Sequence, residues 1–183
     1  VYVAKAAGFL DIITYDMGGT STDVSLVKDG IAEYTTKRKV CGLPSGVPMI
    51  DVHAVGAGGG SIAHIDNAGG LKGGPESAGA NPGPVAYNLG NEQPVVTDAN
   101  LVLGRINPHY VLGGRLKIDA QLSRAAMKKQ IADPMGLSVE AAAQGVISVV
   151  NSNMARAIRV ITVEKGHNPS DFTLVAYGGA GPP

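Results

Sequence analysis

Hydrophobic positions along the chain follow two alternating periods, interrupted by glycine. Ile12 to Tyr15 is a short apolar run that leads into Gly18 and Gly19. Val24 to Val27 and Ile31 to Thr36 flank Lys28-Asp29-Gly30, and an Asp-Gly between two β-rich runs predicts a hairpin. Met49 to Val55 reads as a buried strand ending in the run Gly56-Ala57-Gly58-Gly59-Gly60, and Ser61 to Ile65 as a short extended segment. From 67 to 94 glycine and proline punctuate the chain without periodicity, which predicts a long loop of the kind that is usually functional. Thr97-Asp98 has the composition of an N-cap for a short helix through Leu103. Asp119 to Ile131 is amphipathic, with Leu122, Ala126 and Ile131 on one side and Pro134 as its stop. Ser138 caps the longest helix, in which Val146, Val149, Val150, Met154, Ile158 and Ile161 recur at helical spacing, with Gly166 at the C-terminal cap. Phe172 to Tyr177 is the last strand, leading into Gly178-Gly179. A strand hairpin, then helices, then a strand ending in a glycine turn predicts a mixed α/β domain without internal repeats.

Composition narrows the partners. The 183 residues suit one domain, and a 44% apolar share is that of a globular chain. Fifteen basic and 15 acidic residues give zero net charge, so no basic face points to nucleic acid or to a membrane surface. No signal peptide is visible, and no apolar run is expected to reach the ~20 residues of a membrane helix. The single Cys41 excludes an internal disulfide or a cysteine zinc cage, carries no activating neighbours that would make it a nucleophile, and suits a reducing cytoplasm. The 26 glycines beside only 4% aromatics are what loops folded around phosphates require. The start at Val1 and the stop after Gly181-Pro182-Pro183 read as the ends of a piece of a longer protein.

Two segments carry chemistry. Asp16-Met17-Gly18-Gly19-Thr20-Ser21-Thr22-Asp23 turns between two strands, so it is neither a P-loop, whose lysine it lacks, nor a dinucleotide fingerprint. Gly18 and Gly19 let backbone N–H groups approach phosphate oxygens, and Thr20, Ser21 and Thr22 add hydroxyls. Asp16 at the strand end suits a hydrated Mg²⁺, which prefers one or two carboxylates. The alternative is a glycine hairpin whose polar groups satisfy their own backbone. Tyr177-Gly178-Gly179-Ala180-Gly181-Pro182 lets a flat ligand lie on bare backbone; its alternative is an ordinary strand-to-helix turn.

Together the two segments resemble the second phosphate loop and the adenosine loop of the acetate kinase, sugar kinase, actin and heat-shock chaperone superfamily, which clamps ATP between two related lobes. The blocks Asp51-Val52-His53-Ala54-Val55-Gly56-Ala57-Gly58-Gly59-Gly60-Ser61-Ile62-Ala63, Gly74 to Pro84, and Thr97 to Gly104 resemble the hydantoinase A and 5-oxoprolinase family along nearly the whole chain. The sequence departs from that family around Asn88-Leu89-Gly90-Asn91, where relatives are richer in glycine, and at Pro183, where they continue Leu-His-Ala. The resemblance implies an actin-like, ribonuclease H-like lobe with a mixed sheet and flanking helices. It implies that Asp16, Gly18, Gly19 and Thr20 face the β- and γ-phosphates and Mg²⁺, and that Gly178, Gly179, Ala180 and Gly181 belong to the adenosine turn. It also implies a first lobe elsewhere in the same chain, a hydantoinase B-like subunit or domain, and a cyclic amide substrate.

Asp51 and His53, two apart on one expected strand, share a face. They read as catalytic or metal-binding residues, for a second divalent metal or a polar contact at the reacting amide, against the alternative of a histidine bonded to backbone at a strand end. His64 reads as structural, Asp98 and Asn100 as cleft or cap residues, and Arg156 and Arg159 as a solvated helix face. The leading function is ATP-dependent opening of a cyclic amide through phosphorylation of its carbonyl oxygen. The alternatives are the ATP-hydrolysing subunit of an acetone- or acetophenone-type carboxylase and a non-catalytic nucleotide-dependent module.

Overall fold

A computed structural model describes residues 1–40 and 42–181; Cys41 and the terminal Pro182-Pro183 lie outside the described residues. A short helix α1 (Tyr2–Ala6) precedes the antiparallel pair β1 (Ile12–Met17) and β2 (Thr22–Lys28). Asp29 and Gly30, both at positive φ, turn β2 into β3 (Ile31–Ala32), as the Asp-Gly pattern predicts. Past two small ribbons, β4 (Val52–Val55) pairs with the other end of β2. A second ribbon is made of β5 (Ser61–Ile65) and β6 (Leu71–Ser77). Helices α2 (Val96–Val102), α3 (Ala120–Met127) and α4 (Val139–Ile161) follow. Strand β7 (Thr173–Tyr177) returns to lie parallel to β1, so the main five-stranded sheet is mixed.

Register decides which side chains meet. Tyr15 lies opposite Val24 and Ile13 opposite Leu26, on the face that α4 covers with Val146, Ile147, Val150 and Met154. Fully buried side chains such as Val146 and Val150 each contribute roughly 1.5–3 kcal/mol. On the other face Ile12 and Val27 pack beneath Ala4 of α1. Further along that face come the opposed pairs Thr14–Ser25 and Asp16–Asp23. Burial pushes the Tyr15 phenol above its ordinary value, a shift opposed by its bond to Thr22.

The structure changes several expected boundaries. Met49 to Val55 is not one strand: Met49–Ile50 pairs with Tyr34–Thr35, β4 pairs with β2, and the chain changes partner at Asp51. The expected loop 67–94 contains β6, which pairs with β5 on either side of a bulge between Gly73 and Ser77. Helix α2 begins after Val95, and Asp98 sits within its first turn. Pro134 does not end the third helix. A π-helical stretch at Lys128–Ala132 widens the turn ahead of it, where proline has no N–H to offer, and Gly136 caps the end in a left-handed conformation. Ser138 does cap α4, its hydroxyl accepting from Ala141 N–H at 3.2 Å. The helix over 139–165 is, by length and composition alone, long and apolar enough to cross a membrane, its most apolar 18 residues reaching a mean hydropathy of 1.2, which corrects the expectation that no run would be. In the fold one face of this helix is core and the other carries exposed Ser148, Ser152, Arg156 and Arg159.

Candidate nucleotide site

Three glycine segments far apart in sequence make one surface. The first is the apex of the β1–β2 hairpin, where Gly18 N–H donates to Ser21 O at 2.9 Å and Gly19 and Thr20 are exposed. The backbone N–H groups of Gly19, Thr20 and Ser21 have no partner among the described residues. The second segment, 58–60, lies beneath it, with Gly59 N–H on Gly18 O at 3.0 Å and Gly60 N–H on Gly19 O at 2.6 Å. Side chains are excluded there: a Cβ on Gly58 would stand 2.7 Å from Gly18 O. The third is the turn after β7, tied to the hairpin by Ala180 N–H to Met17 O at 2.9 Å.

The hydroxyls of the hairpin divide. Thr20 Oγ1 meets Ser77 Oγ at 3.2 Å at the exposed apex, and Ser21 is half-buried. Thr22 is fully buried, and its hydroxyl donates to Ala57 O at 2.6 Å, so it fastens the glycine loop from inside and does not face the surface. Asp16, half-buried, lies against the turn: a Cβ on Gly178 would be 2.4 Å from Asp16 Oδ1. Directly across the ladder stands Asp23, also half-buried. Like charges in such a pair repel unless a cation lies between or near them. Mg²⁺ takes one or two carboxylates and keeps its remaining shell for water and phosphate, so this pair fits it.

Beside the hairpin a cavity of about 460 Å³ opens. Gly59, Gly178, Gly179 and Ala180 form one wall as nearly bare backbone, and Ile106, Val111 and Ile118 contribute apolar surface. Thr97, Asn100, Arg105 and Tyr87 supply its polar side chains. Thr97 is fixed by its N–H and hydroxyl, both donating to Gly59 O at 2.8 and 2.9 Å. Gly181 lines a smaller neighbouring cavity of about 120 Å³ with Asn100, Arg105 and Met154. Asp98 reaches neither: it is fully buried and accepts from Val85, Ala86 and Val95 N–H at 3.0 Å and from Ser123 Oγ at 2.6 Å. It pins the 85–87 turn and the start of α2.

Asp51 and His53 are not gathered with these groups. His53 lies opposite Val24, on the α4 side of the sheet, while Asp16 and Asp23 are on the other. It lines a groove with Asn153 and Arg156. Asp51 Oδ2 is 2.6 Å from Lys165 Nζ, which also binds Glu33 Oε2 at 2.8 Å, and His167 Nε2 meets Glu33 Oε1 at 3.1 Å. His53 therefore lies on the helix side of the sheet and not on that of the phosphate hairpin, whereas Asp51 sits outside the paired strands. No group of three or more His, Cys, Asp or Glu gathers to hold a metal among the described residues. Among the described residues, Asp51 is held in an ion pair with Lys165 and is not gathered with His53. Burial acts to lower the Lys165 pKa, but its bonds to Asp51 and Glu33 raise it above the ordinary value. Its contribution to stability is therefore fully present below the ordinary lysine pKa and is lost as pH rises through the raised one. Lys165→Met leaves the two carboxylates without their shared cation. We expect it to destabilise the protein by about 1–3 kcal/mol at neutral pH, with wild type and variant converging at strongly alkaline pH. Thermal unfolding across pH checks this, and equal stability at neutral pH would refute it.

The sequence matches the hydantoinase/oxoprolinase family over residues 1–183. The chain belongs to this family. Caprolactamase subunit alpha of Pseudomonas jessenii is 48% identical over 178 residues, covering 97% of this chain and 26% of that protein. The acetophenone carboxylase gamma subunit of Aromatoleum aromaticum is 42% identical over 183 residues, covering 99% of this chain and 25% of the relative. The crystal structure of the ATP-dependent caprolactamase from Pseudomonas jessenii superposes with a TM-score of 0.88 at 47% identity, over 97% of this chain and 26% of that one. This family member thus spans about a quarter of the length of these relatives and shares their mixed α/β fold. Sequence reasoning missed Asp23, Ser77 and the shim at Gly58–Gly60 as parts of the surface. Asp23 gains its place only through register, and no local pattern in the glycine run shows that it packs beneath the hairpin apex.

Proposed function

We propose that this chain is the second lobe of an actin-like ATP clamp in an enzyme that opens a cyclic amide by phosphorylating its carbonyl oxygen. The observation that carries the reading is the continuity of the exposed hairpin amides and the Asp16–Asp23 pair with the backbone-walled cavity at Gly178–Ala180. A nucleotide whose base enters that cavity brings its phosphates to Gly18, Gly19 and Thr20. Asp16, with Asp23 opposite, would hold Mg²⁺, which supplies charge neutralisation at the phosphates. No lysine lies in the segment Asp16 to Asp23, so backbone dipoles and that cation carry the stabilisation usual for phosphoryl transfer.

The reaction has two halves. The γ-phosphoryl group passes to the amide carbonyl oxygen, forming one P–O bond and releasing ADP. One water then adds to the carbon and the C–N bond breaks with the nitrogen taking a proton, leaving an acyl phosphate; a second water attacks its carbonyl carbon, and phosphate leaves with the former amide carbonyl oxygen as the carboxylate forms. The first lobe of the chain and a hydantoinase B-like subunit would complete the site, in keeping with the multi-subunit naming of the relatives. A ketone carboxylase is the second reading, favoured by the 42% identity to the acetophenone carboxylase subunit. The test uses the full-length protein with its partner subunit and a panel of ¹⁸O-carbonyl lactams and hydantoins. ATP-dependent ring opening with ¹⁸O in the released phosphate is expected. Turnover only with ketone and bicarbonate would replace the amidase reading with the carboxylase one.

A further inference from the structure

Asn100 is only 4% exposed, yet it lines the large cavity. Arg105 donates from Nη1 to Asn100 Oδ1 at 3.4 Å and from Nη2 to Gln144 Oε1 at 3.3 Å. Its own N–H bonds Asn100 O at 2.9 Å, folding the 104–105 turn back on α2. A guanidinium only donates, so the Asn100 amide presents its oxygen to Arg105 and its nitrogen elsewhere. That Nδ2 has no partner among the described residues, and no fully enclosed side-chain nitrogen or oxygen lacks one. The amino group therefore opens onto accessible space, and the cavities Asn100 lines are that space. Arg105 is in turn held by two neutral carboxamides and pairs with no carboxylate among the described residues, so its charge is undiminished.

We infer that Asn100, oriented by Arg105, reads the purine base of the bound nucleotide. The inference rests on the nucleotide reading above and assigns the base-recognising edge of the same site. Two observations place this edge at the base and not at the phosphates. None of the hairpin residues Gly18 to Ser21 lines the cavity, and beside Thr97, whose hydroxyl is spent on Gly59 O, its remaining walls are bare backbone, aliphatic side chains and the ring of Tyr87, surfaces suited to a flat ring. An edge made of donors calls for an acceptor, and a purine ring nitrogen is one. Asn100 Nδ2 donates to that nitrogen, while Arg105 positions the amide and adds positive charge beside the π face.

The experiment compares ATP with inorganic tripolyphosphate, titrated calorimetrically into the full-length protein. Asn100→Asp keeps the shape, exchanges the donor for an acceptor, and leaves Arg105 to stabilise the new carboxylate. It is expected to weaken ATP by at least about tenfold, as a buried acceptor left facing an acceptor does, with tripolyphosphate affinity unchanged. Arg105→Met, at an exposed position, frees the amide to turn over and should give a smaller loss confined to ATP. Thermal unfolding of both variants verifies the fold. Equal weakening of ATP and tripolyphosphate, or no weakening of ATP, overturns the inference while the nucleotide site stands. Absence of ATP binding by the wild-type protein overturns the nucleotide reading and this inference with it.

Discussion

Asp16→Asn in the full-length protein is expected to lower Mg²⁺-dependent ATP turnover by about 10²–10³, the usual cost of removing one preorganised electrostatic contact. The substitution is isosteric and half-buried, and Asp16 sits across from Asp23 in the ladder. Relieving that like-charge opposition leaves the fold intact or slightly more stable. A loss of activity without a loss of stability therefore separates a ligand-facing carboxylate from a structural one. The same logic applies to Asp23→Asn, for which a smaller loss and a raised Mg²⁺ requirement are expected if it completes the cation's outer shell. Turnover assayed over a Mg²⁺ series, with unfolding curves on the same preparations, checks both. Wild-type turnover by a well-folded Asp16→Asn protein would remove the carboxylate pair from the reaction.

What was legible in the sequence was local. The hairpin turn at Asp29-Gly30, the strand into Gly18-Gly19, the Ser138 cap and the glycine turn after Tyr177 are each written in a few adjacent residues, and each formed as read. What was hidden depends on pairing across the chain. Asp23 gains its place only because β2 returns in register against β1. His53 faces away from Asp16 because it pairs with Val24, and no spacing within 51–53 reveals which side of a sheet a helix will cover. Asp51 looked like a strand residue among apolar neighbours, yet a lysine 114 positions away takes its carboxylate. Asn100 and Asp98 were indistinguishable as cap-type residues. Only packing showed that Asp98 is enclosed by four donors while Asn100 keeps an amino group open to the cavity.

Adjacent glycines in the last turn should fail in opposite ways when each is replaced by valine. Gly178 has φ +95°, and a Cβ there would lie 2.4 Å from both Asp16 Oδ1 and Met17 O. The left-handed backbone alone costs a side chain of order 1–3 kcal/mol, and a branched residue must also push the turn off the hairpin. Gly178→Val is therefore expected to lower the unfolding midpoint markedly and to displace Asp16, so that stability and turnover fall together. At Gly179 a Cβ meets nothing within 4 Å, and the residue lines the cavity proposed for the base. Gly179→Val should thus fold with a wild-type midpoint, yet lose nucleotide affinity by about 10²-fold or more, because its methyl groups occupy space the ligand needs and overpacked contacts cost about 1–3 kcal/mol or more. Tripolyphosphate, which has no base to seat, should bind this variant as it binds the wild type. Calorimetric titration of both ligands with thermal unfolding of both variants decides the matter. Unchanged ATP affinity in Gly179→Val would show that the flat ligand does not lie on this turn, whereas a loss of stability there would show that the open space beside Gly179 is closed by another part of the full-length protein.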